Sequence, residues 1–268
     1  LKALEAAAAE ADPGLAALEI GRGLVEVEAW QTARSAFERS VAAQPDLAEG
    51  WAFLAEVRQK LGLSASEEIE RALTLSPHSN TVQALAAIYY RRAGRPDISL
   101  IYLHAAANEE PGSAYWQVEL GKALSDLDDV QDALLHFLKA TELEPENAQG
   151  WIELARFSLN YSIDVERVGL PAARKALLLA PEDANALDIM GALLFSQNDL
   201  VSAERFLQQS LQQDAANPDA QLHLGQVYLA SGDLAAARPF LEEAARLTPE
   251  TAVGRLAERL IQKYYPTR

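Results

Sequence analysis

The side chains that could do chemistry are few, and their spacing suits none. The four histidines, His78, His104, His136 and His223, stand singly, and no two form an HExxH pair or another spaced ligand set. His78 follows Pro77 in a linker, and the others are expected as surface or edge residues on different helices. With no cysteine in the chain, thiolate catalysis, disulfides and cysteine metal sites are excluded. No GxSxG elbow and no P-loop occurs. The glycines Gly21 and Gly23 have no preceding strand, which a phosphate loop requires. Carboxylates are plentiful, but pairs such as Glu109-Glu110 and Asp128-Asp129 are ordinary turn and cap residues. The expectation is no catalytic residue, no metal ligand and no cofactor: a binding scaffold rather than an enzyme.

What the chain offers instead is a repeated element, seen most clearly over Ala114–Asn147. Trp116, Leu120, Gly121 and Leu124 recur at helical spacing and share one face of a first helix. Asp128 or Asp129 can cap a second helix, because a short carboxylate accepts from the free amides of a first turn. On that second helix Ala133, Phe137 and Ala140 form one stripe, and Pro145 closes the unit because proline cannot continue a helix. Gly121 and Ala133 are small where the two helices must approach. The product is a helical hairpin with an apolar face that it cannot bury alone.

The copies keep phase. Closing residues stand at Pro45, Pro77, Pro111, Pro145, Pro181, Ala215 and Pro249, at intervals of 32, 34, 34, 36, 34 and 34. Twelve positions before each lies Ala33, Ala65, Ser99, Ala133, Gly169, Ala203 or Ala237, and eight before lies Phe37, Ile69, Leu103, Phe137, Ala173, Leu207 or Leu241. This pattern resembles the tetratricopeptide repeat family, whose 34-residue unit has an early Trp, Leu-Gly, an aromatic, Ala, Phe, Ala and Pro. The clearest single copy is Leu224-Gly225, Tyr228, Ala237, Ala244, Pro249. The resemblance implies an all-α, right-handed superhelical solenoid of antiparallel helix pairs. Residues 1–13 are expected to be the second helix of a truncated preceding repeat, leaving an apolar edge. Seven repeats follow at about 14–47, 48–79, 80–113, 114–147, 148–183, 184–217 and 218–250, then a capping helix and tail at 251–268. In the cap, Val253, Leu256, Leu260 and Tyr264 are expected to face inward. Pro171 and Pro239 occupy the same slot and are expected to bend their helices. The segment Asn160–Gly169 is the least regular.

In the family the first helices line a concave groove. Carried onto this sequence, that places Lys60, Arg91, Arg92, Tyr115, Lys122, Arg156, Asn160 and Phe195 among the groove residues. Asp188, Asp219 and Leu222 are expected there too, at the C-terminal end. Arg91, Arg92, Lys122 and Arg156 are set against Asp126 alone in this reading, a local excess of positive charge in a chain of net charge −16. Such a groove would steer an acidic peptide or a C-terminal carboxylate, with Arg available for bidentate pairing and Tyr115 and Phe195 for apolar anchoring. The family's best-known peptide clamp uses Lys and Asn at particular groove positions, a set this chain does not reproduce.

The overall acidity argues against nucleic acid as a partner. No run approaches the ~20 apolar residues of a membrane span, so no membrane insertion is expected. The start at Leu1 suggests an excised or processed piece, so the compartment is left unassigned, and the excess of Arg over Lys leans bacterial. The partner expected is a protein or peptide held in the groove of repeats 3–5. The alternative is an accessory arm of a larger assembly, docked through the N-terminal edge or the convex face.

Overall fold

The computed structural model describes residues 12–266. These residues hold fifteen α-helices and one π-helical turn, and no strand. The chain divides into two compact units, Leu1–His136 and Phe137–Arg268. The first contains α1 (Pro13–Glu26), α2 (Trp30–Ala43), α3 (Ala48–Lys60), α4 (Ser66–Leu75), α5 (Asn80–Arg92), α6 (Pro96–Glu109) and α7 (Ala114–Ser125). The helix α8 (Val130–Leu143) runs across the division. The second unit continues with α9 (Ala148–Tyr161), the π turn (Val165–Gly169), α10 (Leu170–Leu179), α11 (Ala184–Ser196), α12 (Leu200–Gln213), α13 (Pro218–Ser231), α14 (Leu234–Leu247) and α15 (Ala252–Tyr264). Within each unit the helices pack as successive hairpins, α1 on α2, α3 on α4, α5 on α6, α11 on α12, α13 on α14.

Each hairpin turns on one left-handed residue: Glu28, Gly62, Gly94, Asp128, Ser162, Asn198 and Gly232 all have positive φ. Gly, Asn and Asp tolerate this region with little strain, whereas Glu28 does not. The next helix then starts on a short oxygen. Asp129 accepts from Asp132 N, Asp199 from Ser202 N and Asp233 from Ala236 N.

The helices of a hairpin meet at small residues. An added Cβ at Gly191 would sit 2.6 Å from Leu207 Cγ, and one at Gly225 2.7 Å from Leu241 Cδ2. Leu207, Leu241, Ala203 and Ala237 are fully buried. Buried hydroxyls reinforce the approach: Ser40 donates to Gly14 O at 2.8 Å and Ser210 to Ala184 O at 2.7 Å. Successive hairpins are pinned by a recurring bond from the first helix to the closing residue of the repeat before. Trp51 donates to Pro45 O, Gln83 to Pro77 O, Trp151 to Pro145 O and Gln221 to Ala215 O, each across six residues.

Four details differ from the sequence reading. The helix expected over residues 1–13 lies outside the described residues, except that Asp12 and Pro13 begin α1 instead; Asp12 caps it by accepting from Gly14 N at 2.9 Å. Pro171 stands in the first turn of α10, directly after the π turn, whereas Pro239 lies inside α14. The irregular segment resolves into left-handed Ser162 and Asp164 followed by the π turn. In α15 the buried side is Val253, Leu256, Ala257, Leu260, Ile261 and, beyond its end, Tyr265, while Tyr264 is exposed beneath Lys263. Stripe spacing alone could not separate Tyr264 from Tyr265.

Two substitutions test this account by urea unfolding followed by circular dichroism. Gly191→Val overpacks the α11–α12 contact and is expected to cost about 1–3 kcal/mol. Glu28→Gly relieves a left-handed non-glycine residue and is expected to gain about 1 kcal/mol.

Candidate functional site

In the first unit, charged groups from the C-terminal halves of α3 and α5 meet others from α7 and its end. The last turn of α5 delivers Arg91 and Arg92, where cations also complement the helix carbonyl end. Neither is free. Arg91 lies 3.3 Å from Glu119 and 3.7 Å from Asp126, and Arg92 lies 3.8 Å from Glu56. Lys122 meets Glu119 at 3.2 Å. Lys60 places its ammonium 5.3 Å from the centroid of the Trp30 ring, a cation–π contact. Four cations thus face three carboxylates, and the strong cationic excess expected from the sequence is largely cancelled.

The carboxylates at the centre escaped the sequence reading. Glu119 is only 6% exposed and serves both Arg91 and Lys122. A usable signal was present, since Glu119 stands one helical turn before Lys122. Glu56 is a less comfortable anion. Burial raises its pKa above 4.5, and Arg92 and Lys60 only partly pull it back. Asp126 is raised in the same way by burial, against Arg91.

Tyr115 stands among these groups. About half of the residue (49%) stays open to solvent while its ring meets Trp116 edge-on at 4.7 Å. Its phenol is nonetheless pushed up to about 12, by burial and then by Glu119 and Glu56, against Arg92 and Arg91. The Arg91–Asp126 and Arg92–Glu56 separations, 3.7 and 3.8 Å, are longer than a close hydrogen bond, so these pairs are looser than those made by Glu119.

The other predicted groove residues fall in the second unit. Arg156 lies 3.9 Å from both Glu153 and Asp219. Asn160 is exposed near the end of α9. Phe195 is half-buried against Ala203, Leu207, Leu224 and Val227, so most of its ring is spent on the core. Asp188 and Leu222, expected to line the groove, are buried, at 0% and 4% exposure. His223, expected as a surface or edge residue, keeps 19% of its side chain exposed while its Nδ1 lies 2.7 Å from Asp188 Oδ1. His136 likewise bonds Gln117, at 2.8 Å. Single-residue spacing gave no warning of partners 35 and 19 positions away.

Among the described residues no helix is long and apolar enough to cross a membrane. Family models described as tetratricopeptide repeat match residues 84–148 and 194–260. A human protein, protein O-mannosyl-transferase TMTC3, is 26% identical over 226 residues, 81% of this chain. The chain spans about a quarter (24%) of that relative's length. Among solved structures, a tetratricopeptide repeat protein from Parabacteroides merdae is similar with a TM-score of 0.73 and 14% identity, over 92% of this chain and 98% of that one. The APC/C hetero-tetramer Cut9-Hcn1 is similar with a TM-score of 0.69 and 18% identity, over 85% of this chain and 45% of that one. These identities carry the fold alone.

Because the fold holds a proton on Glu56 more tightly than the unfolded chain does, ionising it costs stability. That cost is absent below about pH 4.5 and grows as pH rises through the raised pKa. Glu56→Gln is therefore expected to raise the urea midpoint at pH 7 and to lose that advantage by pH 4. An unchanged or lowered midpoint at pH 7 would contradict this electrostatic account.

Proposed function

Given the tetratricopeptide repeats that this chain carries, we propose a non-catalytic protein-interaction scaffold whose binding face is the α3–α5–α7 surface of the first unit. The partner presents an acidic segment or a terminal carboxylate to Arg91, Arg92 and Lys122. Tyr115 supplies the apolar contact. The carrying observation is Tyr115 itself, an aromatic residue left half-open among charges of which two pairs, Arg91–Asp126 and Arg92–Glu56, are long.

Mechanistically, Glu56 and Asp126 act as internal stand-ins for the partner's carboxylate. Binding replaces a long pair by a direct, shorter charge-assisted hydrogen bond, worth more than the exposed pair it displaces. The aromatic anchor contributes most of the affinity and the charges set the rate of encounter. The cations are fewer in excess than the sequence suggested, so the face selects a short acidic patch rather than a long polyanion.

A second reading, an accessory arm of a larger assembly, draws on Ile101 and Leu135. They are 66% and 62% exposed on second helices, 34 residues apart.

Fluorescence anisotropy with labelled acidic, amidated and basic peptides, at low and high salt, separates these readings. Tyr115→Ala is expected to weaken acidic-peptide binding by about 10-fold or more, and Arg91→Glu/Arg92→Glu to abolish it, with unchanged helicity. Acidic peptides that bind parent and both variants alike would sink the proposal, and loss of assembly only in Ile101→Asp/Leu135→Asp would favour the arm.

A further inference from the structure

In the second unit, α11 and α13 are the first helices of neighbouring hairpins and pack on each other. Between them lies a carboxylate of unusual isolation. Asp188 is completely buried. Its Oδ1 lies 2.7 Å from His223 Nδ1, and its Oδ2 has no hydrogen-bond partner. An ionised carboxylate only accepts hydrogen bonds, so the hydrogen in this contact sits on Nδ1. The nitrogen left to gain or lose a proton is therefore Nε2.

The charge balance of the pair then depends on that single proton. With Nε2 protonated, Asp188 and His223 form a short buried ion pair. With it lost, a fully buried carboxylate keeps one hydrogen bond from a neutral ring, one bare oxygen, and no counter-charge in contact. Burial of a charge under those terms is costly. The other charged groups acting on His223 are Asp219 on α13 and Arg156 on α9. Arg156 stands 3.9 Å from Asp219, beyond hydrogen-bond reach. The carboxylates contributed by α12 and by the start of α14, Glu204 and Asp233, act on Tyr228 instead.

We propose that the Asp188–His223 pair is a proton-operated latch between the adjacent hairpins that begin with α11 and α13: it closes when the imidazole is charged and loosens the seam when the imidazole is neutral. The latch gives the seam between these hairpins a pH response in the range where an imidazole titrates. Burial alone pulls the imidazole down, but the charge and hydrogen bond of Asp188, helped by Asp219, outweigh it and hold the pKa above 6.5. The stabilisation is thus complete below about pH 6.5 and is lost as pH rises through the raised value.

The test is hydrogen–deuterium exchange on the full chain at pH 6 and pH 8.5, corrected for intrinsic rates, with α1 and α2 as internal references. Exchange in α11 and α13 is expected to accelerate by about three- to tenfold at the higher pH, relative to the references. His223→Gln and Asp188→Asn are each expected to remove that extra acceleration. NMR titration of the His223 imidazole in the parent protein provides a reading that needs no variant. An imidazole titrating at or below 6.5 overturns the latch. So does exchange in α11 and α13 that tracks the references, or an undiminished pH response in either folded variant.

Discussion

Everything in this molecule depends on how closely the two helices of a hairpin can approach. Where Gly191 lies under Leu207, or Gly225 under Leu241, there is no room for a single further carbon. That approach lets short side chains do structural work across the gap, as when Ser40 and Ser210 reach a backbone carbonyl on the facing helix. It also fixes where the next hairpin must begin. The tryptophan or glutamine near the start of the following first helix is then within reach of the preceding closing carbonyl. The early tryptophan of the repeat is therefore more than an apolar filler: its indole N–H satisfies a carbonyl that no helix bond would take. Gln83 and Gln221 do the same with a different shape.

The electrostatics follow from the same packing. An acidic chain that presses first helices side by side brings carboxylates into contact with the few cations on that face. Glu119 is drawn under Arg91 and Lys122, Glu56 stands by Arg92, and Asp188 disappears beneath His223. The anions are the more buried partners in each pair, with side chains 8%, 15% and 0% exposed. The cations, on longer stems, stay closer to water. The acidic character of the chain is thus partly hidden at these three pairs, while Asp126 and Asp219 stay more open than the arginines they meet.

The hairpin architecture was legible because it is written in periodicity, which survives without knowledge of any contact. Ala33, Phe37 and their counterparts announce a stripe by spacing alone. The inner surfaces were only half legible. Family positions say which residues lie on a face, but not which side chains fold back onto each other. That is how Glu119 was passed over and why Asp188 and Leu222 were expected in the open. Charge pairing between helices is a matter of three-dimensional neighbours some thirty residues apart, and the sequence encodes it only through the fold. One further signal went unread: Gly62, Gly94, Asp128, Asn198 and Gly232 keep the repeat spacing, and each is a residue type suited to positive φ.

The π turn at Val165–Gly169 has a consequence for how such a chain tolerates change in length. Inside a helix, one extra residue would swing everything beyond it by about 100° around the axis. Here the hairpin carrying two extra residues keeps Ser162 at its hinge and spends them beyond it, on left-handed Asp164 and a widened turn, and α11 restarts with Ala186, Leu187 and Ile189 buried as if nothing had been added. The segment behaves as an expansion joint. Slack collects at the bend, the bearing surfaces on either side keep their alignment, and the array can gain or shed residues there without its later members falling out of step.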